Sequence, residues 1–263
     1  MRSEAVPAQV RRKRILELVR TREFVRVADL GEAFGVSQVT ARGDLDALAR
    51  RGLVRRIRGG AIARMVPERE HAFEETVRRH HEEKEAIGRS AAELVSDGET
   101  VILDVGTTTT EAARAMRARE ELRDVTVFTS ALNVALELEP AIPRLTVVVL
   151  GGTLRPLQHS LVDPLAALPL AHVNAHTILL GCNGVDALAG VTNVNLPEAE
   201  VKRRMLAAAR RRVVLADGSK LGTVHLARLC DIGEIDTVIT GASADPAVVE
   251  DLRERDVEVV VTS

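Results

Sequence analysis

The chain has no tryptophan and no tyrosine, and only 4 phenylalanines among its 263 residues. A core must therefore be filled by Ala, Val and Leu, and the 46% hydrophobic content is ample for one. There are two cysteines, Cys182 and Cys230, with neither CxxC nor Cys/His spacing, and the 7 histidines show no metal-ligand spacing. A disulfide framework and a zinc site are thereby excluded, and neither metal nor cofactor is expected. No apolar run approaches the roughly 18–20 residues of a membrane span. The opening MRSEAVPAQVRRKR is polar and basic, without the apolar core of a signal peptide. These absences predict a cytoplasmic protein with free thiols and no membrane partner.

Charge is distributed unevenly. Residues 1–69 carry 16 Lys and Arg against 8 Asp and Glu, and the remainder carries 20 against 30. A basic front on an acidic body suggests that only the front meets a polyanion. The length suits a small domain followed by a medium one.

The front reads as three short helices and a hairpin. Ile15, Leu16, Leu18 and Val19 give one apolar face, and Val27, Leu30 and Phe34 a second. Gly35-Val36-Ser37 is a turn, with Ser37 as N-cap of a third helix that Gly52 ends after Arg50. Leu53 to Ile62 alternates about a Gly59-Gly60 tip, as a hairpin does. At 100° per residue, Ala41, Leu45 and Leu48 face the core, whereas Val39, Thr40, Gly43, Asp46 and Arg50 face outward, flanked by Gln38 and Arg42. This is a helix-turn-helix with a wing. Its third helix would enter the major groove of double-stranded DNA through Ser37, Gln38, Val39, Thr40, Arg42 and Gly43. Arg55, Arg56 and Arg58 of the wing would hold phosphates or enter a minor groove. A three-helix domain with a solvated basic surface, or a winged helix that binds protein, has the same pattern.

Met65-Val66-Pro67 breaks the pattern. From His71 to Ser96, Phe73, Val77, Ile87, Ala91 and Leu94 recur at helical intervals, which predicts one long connecting helix. Seven β-rich runs follow: 100–105, 125–129, 146–150, 177–181, 213–216, 237–240 and 257–261. Helical stretches at 111–119, 197–210 and 246–255 lie between them. Such alternation predicts a mostly parallel α/β sheet covered on both faces. The domains are therefore expected at 8–64 (winged helix-turn-helix), 65–97 (linker and connecting helix) and 98–263 (α/β effector domain).

Several strand ends carry ligand-binding chemistry. In LDVGTTTTEAARAM, Asp104 ends a strand, Gly106 permits a tight turn, and Thr107, Thr108, Thr109 and Thr110 bring hydroxyls and N–H groups to a helix start, where an anion is stabilised. Gly151-Gly152 follows a second strand, and Asn183-Gly184 a third. Asp217-Gly218-Ser219-Lys220 follows a fourth, offering a carboxylate for hydroxyls and a lysine for phosphate. Open α/β sheets place ligands at such carboxyl ends. Singly, a Thr-rich turn is an N-cap, Gly-Gly a turn and DGSK a solvated loop. Glu198 and Lys202, four apart behind Pro197, are either an exposed helical pair or cleft residues. Arg155 could add charge to a phosphate.

These segments resemble the DeoR family of bacterial transcriptional regulators. RRKRILELV and VADLGEAFGVSQVTARGDLDALARRGLVRRIRGGA are similar to its DNA-binding domain. SDGETVILDVGTTTTEAARAM, VTVFTSALNVALEL, VVVLGGTLR, LLGCNGVDALAGVTNVNLPEAEVKRRM and VVLADGSKLG match its effector domain in order. The resemblance implies a C-terminal fold like ribose-phosphate isomerases and a phosphorylated sugar or related effector that loosens the regulator from DNA. It also places Glu198 and Lys202 near the ligand cleft. In the recognition helix, Arg42, Asp44 and Leu45 match the family pattern, Ala41 is smaller than usual, and Gly43 replaces an arginine. Ser130 stands where Asn is frequent, Asp163 where Gly is usual, and His176 where an acidic residue is common. Asp163 before Pro164 reads as an N-cap, and Ser130 could alter the cleft. The resemblance implies a non-enzymatic regulator, a repressor of sugar or related catabolic genes, acting as a homo-oligomer (dimer or tetramer). The alternative from the residues is a sugar-phosphate isomerase-like enzyme with an accessory nucleic-acid domain, whose carboxylates and lysine would be Asp104, Glu198, Asp217 and Lys220.

Overall fold

The computed structural model describes residues 7–22, 24–50, 53–63, 70–162 and 164–263. The helix stop at Gly52, the break at Met65-Val66-Pro67 and the N-cap at Asp163 lie outside the described residues. Contacts divide the chain into two units, Met1–Val66 and Pro67–Ser263.

The first unit comprises α1 (Ala8–Arg22), β1 (Phe24–Arg26), α2 (Val27–Phe34), α3 (Gln38–Arg50), β2 (Val54–Ile57) and β3 (Gly60–Ala63). The three strands pair antiparallel in the order β1-β3-β2. β1 was not foreseen; three residues are too short to display a period. Gly35 ends α2 in a left-handed turn, where the Val36 N–H reaches Gly31 O at 3.0 Å and closes the helix. Ser37 then caps α3, its Oγ accepting from the Thr40 N–H at 3.1 Å. The core is aliphatic: Ile15 and Val19 of α1, Val25 of β1, Val27 and Leu30 of α2, Ala41, Leu45 and Leu48 of α3, and Val54 and Ala61 of the hairpin. α3 also buries Asp44. Its two oxygens accept from Arg11 Nε at 2.6 Å and Arg12 Nε at 2.8 Å, which ties α1 to α3. Burial opposes the charge, but the two guanidiniums prevail and hold this carboxyl below its ordinary range.

The second unit opens with α4 (Phe73–Val77) and α5 (His81–Glu93). The single helix expected over 71–96 is thus two. The chain turns between them, and His80 adopts a left-handed φ of 52°. α5 does not stand apart as a connector, because Ile87, Ala91 and Ala92 are buried against the sheet within this unit. There follow β4 (Thr100–Leu103), α6 (Thr107–Ala118), β5 (Val125–Thr129), α7 (Leu132–Leu138), β6 (Leu145–Val149), β7 (Thr153–Arg155), β8 (Ser160–Val162) and α8 (Pro164–Ala167). The remainder is β9 (Ala175–Gly181), β10 (Gly184–Asp186), β11 (Gly190–Asn193), α9 (Leu196–Ala207), β12 (Ala209–Leu215), β13 (Ala227–Cys230), β14 (Thr237–Gly241), α10 (Pro246–Arg253) and β15 (Glu258–Thr262).

The seven strands expected from the sequence form one parallel sheet in the order β15-β14-β12-β9-β4-β5-β6. Successive residues serve opposite faces. Val101 and Leu103 pack with Ile87, Ala113 and Met116 of α5 and α6, whereas Ile102 joins Ala199, Met205 and Leu252 of α9 and α10. Both faces are covered, which is why the strands read as continuous apolar runs. From β4 the chain winds outward to β5 and β6, then crosses back to β9 on the other side of β4. The order therefore reverses between β4 and β9, and a crevice opens at their carboxyl ends. Two small antiparallel sheets, β7-β8 and β10-β11-β13, are additions that the sequence did not disclose.

Candidate functional site

On the first unit, the face of α3 turned from the core is open. Ser37, Gln38, Val39, Thr40, Arg42 and Gly43 are all exposed, and Val39 retains 75% of its surface, a large unpartnered aliphatic group on an otherwise polar helix. Around Gly43 there is open space, with no atom within 4 Å of where a Cβ would stand. Arg55 and Arg58 are exposed on the hairpin. Arg56 is not free in the same way. It donates to Gly60 O at 2.8 Å and pairs with Asp46 on α3 at 2.9 Å, so it braces the wing against the helix.

On the second unit, the reversal of strand order coincides with a cavity of about 350 Å³. Residues after three strand ends line it: Val105–Thr109 beyond β4, Gly181–Asn183 beyond β9, and Asp217, Ser219 and Lys220 beyond β12. Glu198 and Lys202 reach it from α9, and Thr76, Arg79, His80 and Lys84 from α4, α5 and the turn between them.

The Thr-rich start of α6 presents backbone N–H groups to the cavity. Gly106 takes φ 149°, a conformation that side chains disfavour, and no side chain caps the helix. The first intrahelical bond runs from Thr110 N to Gly106 O at 3.0 Å, so the N–H groups of Thr107, Thr108 and Thr109 precede the ladder. The four hydroxyls are not equivalent. Those of Thr109 and Thr110 donate back to Gly106 O at 2.9 and 2.7 Å. Thr108 Oγ1 is buried and has no hydrogen-bond partner among the described residues.

Asp104 lies wholly buried below this turn. Its Oδ2 accepts from Lys202 Nζ at 2.5 Å and from the Gly181 N–H at 3.0 Å, and Lys202 also donates to Gly181 O at 2.8 Å. Glu198 Oε1 stands 3.6 Å from Lys202. The exposed helical pair considered from the sequence is thus a buried one. Burial alone would discharge Lys202, but Asp104 and Glu198 raise its affinity for the proton above the ordinary value. On its other side Glu198 Oε2 accepts from Arg155 at 2.5 Å, and the same guanidinium holds Glu70 at 2.5 Å. Arg155 is therefore committed to two carboxylates and is not free for a ligand. Asp217 opens the turn after β12, accepting from Ser219 N at 3.2 Å and from the Ser219 hydroxyl, with Lys220 Nζ 3.8 Å away. Although burial opposes it, Lys220 and Ser219 hold the Asp217 carboxyl below its usual range.

Gly106, Thr107, Thr108, Thr109, Asn183, Glu198, Lys202, Asp217, Ser219 and Lys220 come together at this cavity, with Asp104 beneath them. Gly151, Gly152 and Gly184 do not line it. A Cβ on Gly152 would meet Val162 O at 2.4 Å, one on Gly184 would meet Thr223 O at 2.4 Å, and Gly151 faces Leu165. Gly152 and Gly184 thus admit neighbouring backbone rather than a ligand, whereas Gly151 makes only ordinary contact. Ser130 is buried beside the β7-β8 hairpin, its carbonyl accepting from Leu161 N at 2.7 Å, and it does not touch the cleft. His176 Nδ1 accepts the Thr100 N–H at 2.9 Å, a role in the sheet. Sequence reasoning missed Thr76, His80, Lys84, Gln158, Asn193 and His225 on the wall. Their proximity is created by tertiary packing, and no local motif announces it.

The model of the DeoR-like helix-turn-helix domain matches residues 11–65, and that of the DeoR C terminal sensor domain matches residues 79–242. The HTH-type transcriptional regulator GlpR of Haloferax volcanii is 34% identical, over 97% of this chain and 98% of its own. The HTH-type transcriptional repressor GlcR of Bacillus subtilis is 31% identical over 94% of each. Among solved structures, ribose 5-phosphate isomerase A from Methanocaldococcus jannaschii is 18% identical, covers 54% of each chain and superposes with a TM-score of 0.41, a likeness too slight to bear on function.

Proposed function

The chain belongs to the DeoR family of transcriptional regulators, and from that premise we propose that it represses genes of sugar or related catabolism and is released from its operator by a small phosphorylated metabolite. It is a regulator and not an enzyme. The carboxylates an isomerase would use as base all have partners here: Asp104 is paired with Lys202, Glu198 with Arg155, and Asp217 lies beside Lys220 and Ser219.

The observation that carries the effector reading is the meeting of uncapped helix N–H groups, an unpartnered Thr108 hydroxyl and the ammonium groups of Lys84 and Lys220 in one cavity. That set fits a phosphate. Asp217 on the cavity wall would accept from the hydroxyls of a polyhydroxylated remainder. Arg42, Gln38 and Val39 of α3 would read base edges, with Arg55 and Arg58 on phosphates. A two-fold operator would be met by a dimer or tetramer. Because α4 and α5 supply much of the cavity wall, an occupant that prefers one placement of this segment shifts the population of DNA-competent molecules by its differential affinity.

Gel-shift titration of the full chain on fragments upstream of its own gene, with and without a panel of pentose, hexose and triose phosphates, tests this. One phosphorylated compound should weaken the complex while its dephosphorylated form does not. Absence of any DNA complex across salt concentrations, or release by the unphosphorylated sugar alone, refutes it.

A further inference from the structure

The cations around the cavity differ in what already holds them. Lys202 is locked to Asp104, and Lys220 sits beside Asp217. Lys84 is different. It is 1% exposed, and its ammonium donates to one acceptor, Thr76 O at 2.7 Å. Among the described residues no carboxylate lies within 4 Å of it. An ammonium carries three donors, and burial without a counter-ion is unfavourable. The charged groups facing Lys84 are Lys220 and Asp217 from the turn after β12, Glu111 from α6 and Glu83 from its own helix. Burial, and then the charge of Lys220, lower the Lys84 ammonium to about 8. The same cavity holds the uncapped N-terminus of α6 and the unpartnered Thr108 hydroxyl, itself only 2% exposed.

We propose that Lys84 is the counter-cation of a dianionic group seated at the α6 N-terminus, and that it takes up a proton from solvent as that group binds. The inference rests on the reading of the cavity as an anion site and adds to it an effector class and a pH linkage. Two ammonium groups that repel each other, together with a helix N-terminus, are satisfied by a doubly charged phosphomonoester. A phosphodiester or a carboxylate brings one charge and leaves Lys84 uncompensated. The sign follows directly. The ligand binds the protonated lysine, so affinity is nearly full at pH 7, about halved near pH 8 and about tenfold weaker at pH 9.

Sulfate is a suitable probe, because it remains a dianion across this window. Calorimetric titration of the full chain with sulfate should show affinity about tenfold weaker at pH 9 than at pH 7. At pH 8.5 the heats should depend on buffer ionisation enthalpy, reporting proton uptake. Lys84→Arg, charged throughout, should bind sulfate at pH 9 as at pH 7 and absorb no proton. Lys84→Gln should bind weakly at both. If the wild-type affinity is flat from pH 7 to pH 9, or Lys84→Gln binds as tightly as wild type, the proposal falls while the anion site stands. If sulfate and inorganic phosphate bind nowhere on the wild-type chain, the anion site itself is refuted, and Lys84 with it. Should Lys84→Gln fail to fold, the wild-type profile and Lys84→Arg decide the matter.

Discussion

Replacing Lys202 by methionine tests the physical basis of the site. Methionine keeps most of the side-chain volume and removes the charge. Lys202 is fully buried, donates to Asp104 at 2.5 Å and to Gly181 O at 2.8 Å, and lies 3.6 Å from Glu198. Without it, Asp104 remains buried and keeps neutral backbone donors such as the Gly181 N–H at 3.0 Å. Removing one partner of a buried pair costs about 3–5 kcal/mol, because the other charge stays behind. For a unit of this size that is a fall of roughly 10 °C in midpoint. Burial and Glu198 both push the orphaned carboxyl up, against the weaker pull of the backbone N–H groups of Gly181 and Val105. A carboxyl whose folded pKa exceeds its unfolded value stabilises below that value and loses the contribution as pH rises. The deficit against wild type should therefore shrink as pH is lowered from 7 toward 5. Adding Asp104→Asn, which neutralises the charge and can still accept from Gly181, should bring the double variant to within about 2 kcal/mol of wild type. Urea denaturation followed by far-UV circular dichroism measures all three proteins. A single-variant loss below about 1 kcal/mol, or a double variant no more stable than the single, would refute the account of this pair.

Three further outcomes are expected. Gly43→Ala should stabilise the first unit by about 0.5–1 kcal/mol in a thermal melt, since the position is helical, exposed and sterically open; unchanged operator affinity and selectivity in Gly43→Ala and Gly43→Arg would rule out a role for the missing side chain in groove approach. The depressed Asp44 carboxyl contributes stability that is present above its unfolded value and lost as pH falls through its folded one, so Asp44→Asn should lower the melting temperature at pH 7 and abolish much of the first unit's acid sensitivity below about pH 4, read by melts at pH 7 and pH 3. Gly88→Ala should cost about 1–3 kcal/mol, because its Cβ would lie 2.6 Å from the Glu111 backbone carbon on α6, where backbone cannot yield; a neutral melt would contradict so close an α5–α6 approach.

What could be read from the sequence follows from how far each signal reaches along the chain. The seven strands of the main sheet were legible because burial on both faces makes each a continuous apolar run. The antiparallel strands β7, β8, β10, β11 and β13 span three or four residues, too few for alternation to register. The α4–α5 break was invisible because no Gly or Pro marks it; His80 takes the left-handed turn instead. Asp104, the threonines, Asp217 and Lys220 could be found because each sits beside a strand end. Gly152 and Gly184 carry the same local mark for a different reason, close packing of backbone. Lys84 stands within HHEEKE, which reads as a solvated run, and only the docking of α5 onto α6 buries it. Glu198 and Lys202 could be paired from spacing, but not assigned to the interior.

Arg155 ties the cavity wall to the start of the second unit. One guanidinium is shared between Glu198, on the cavity wall, and Glu70, the first described position after residues 64–69. A shared cation divides its attraction, so a guest that draws Glu198 toward itself changes how firmly residue 70 is moored. A guest in the chamber would thereby be felt at the opening residues of the second unit.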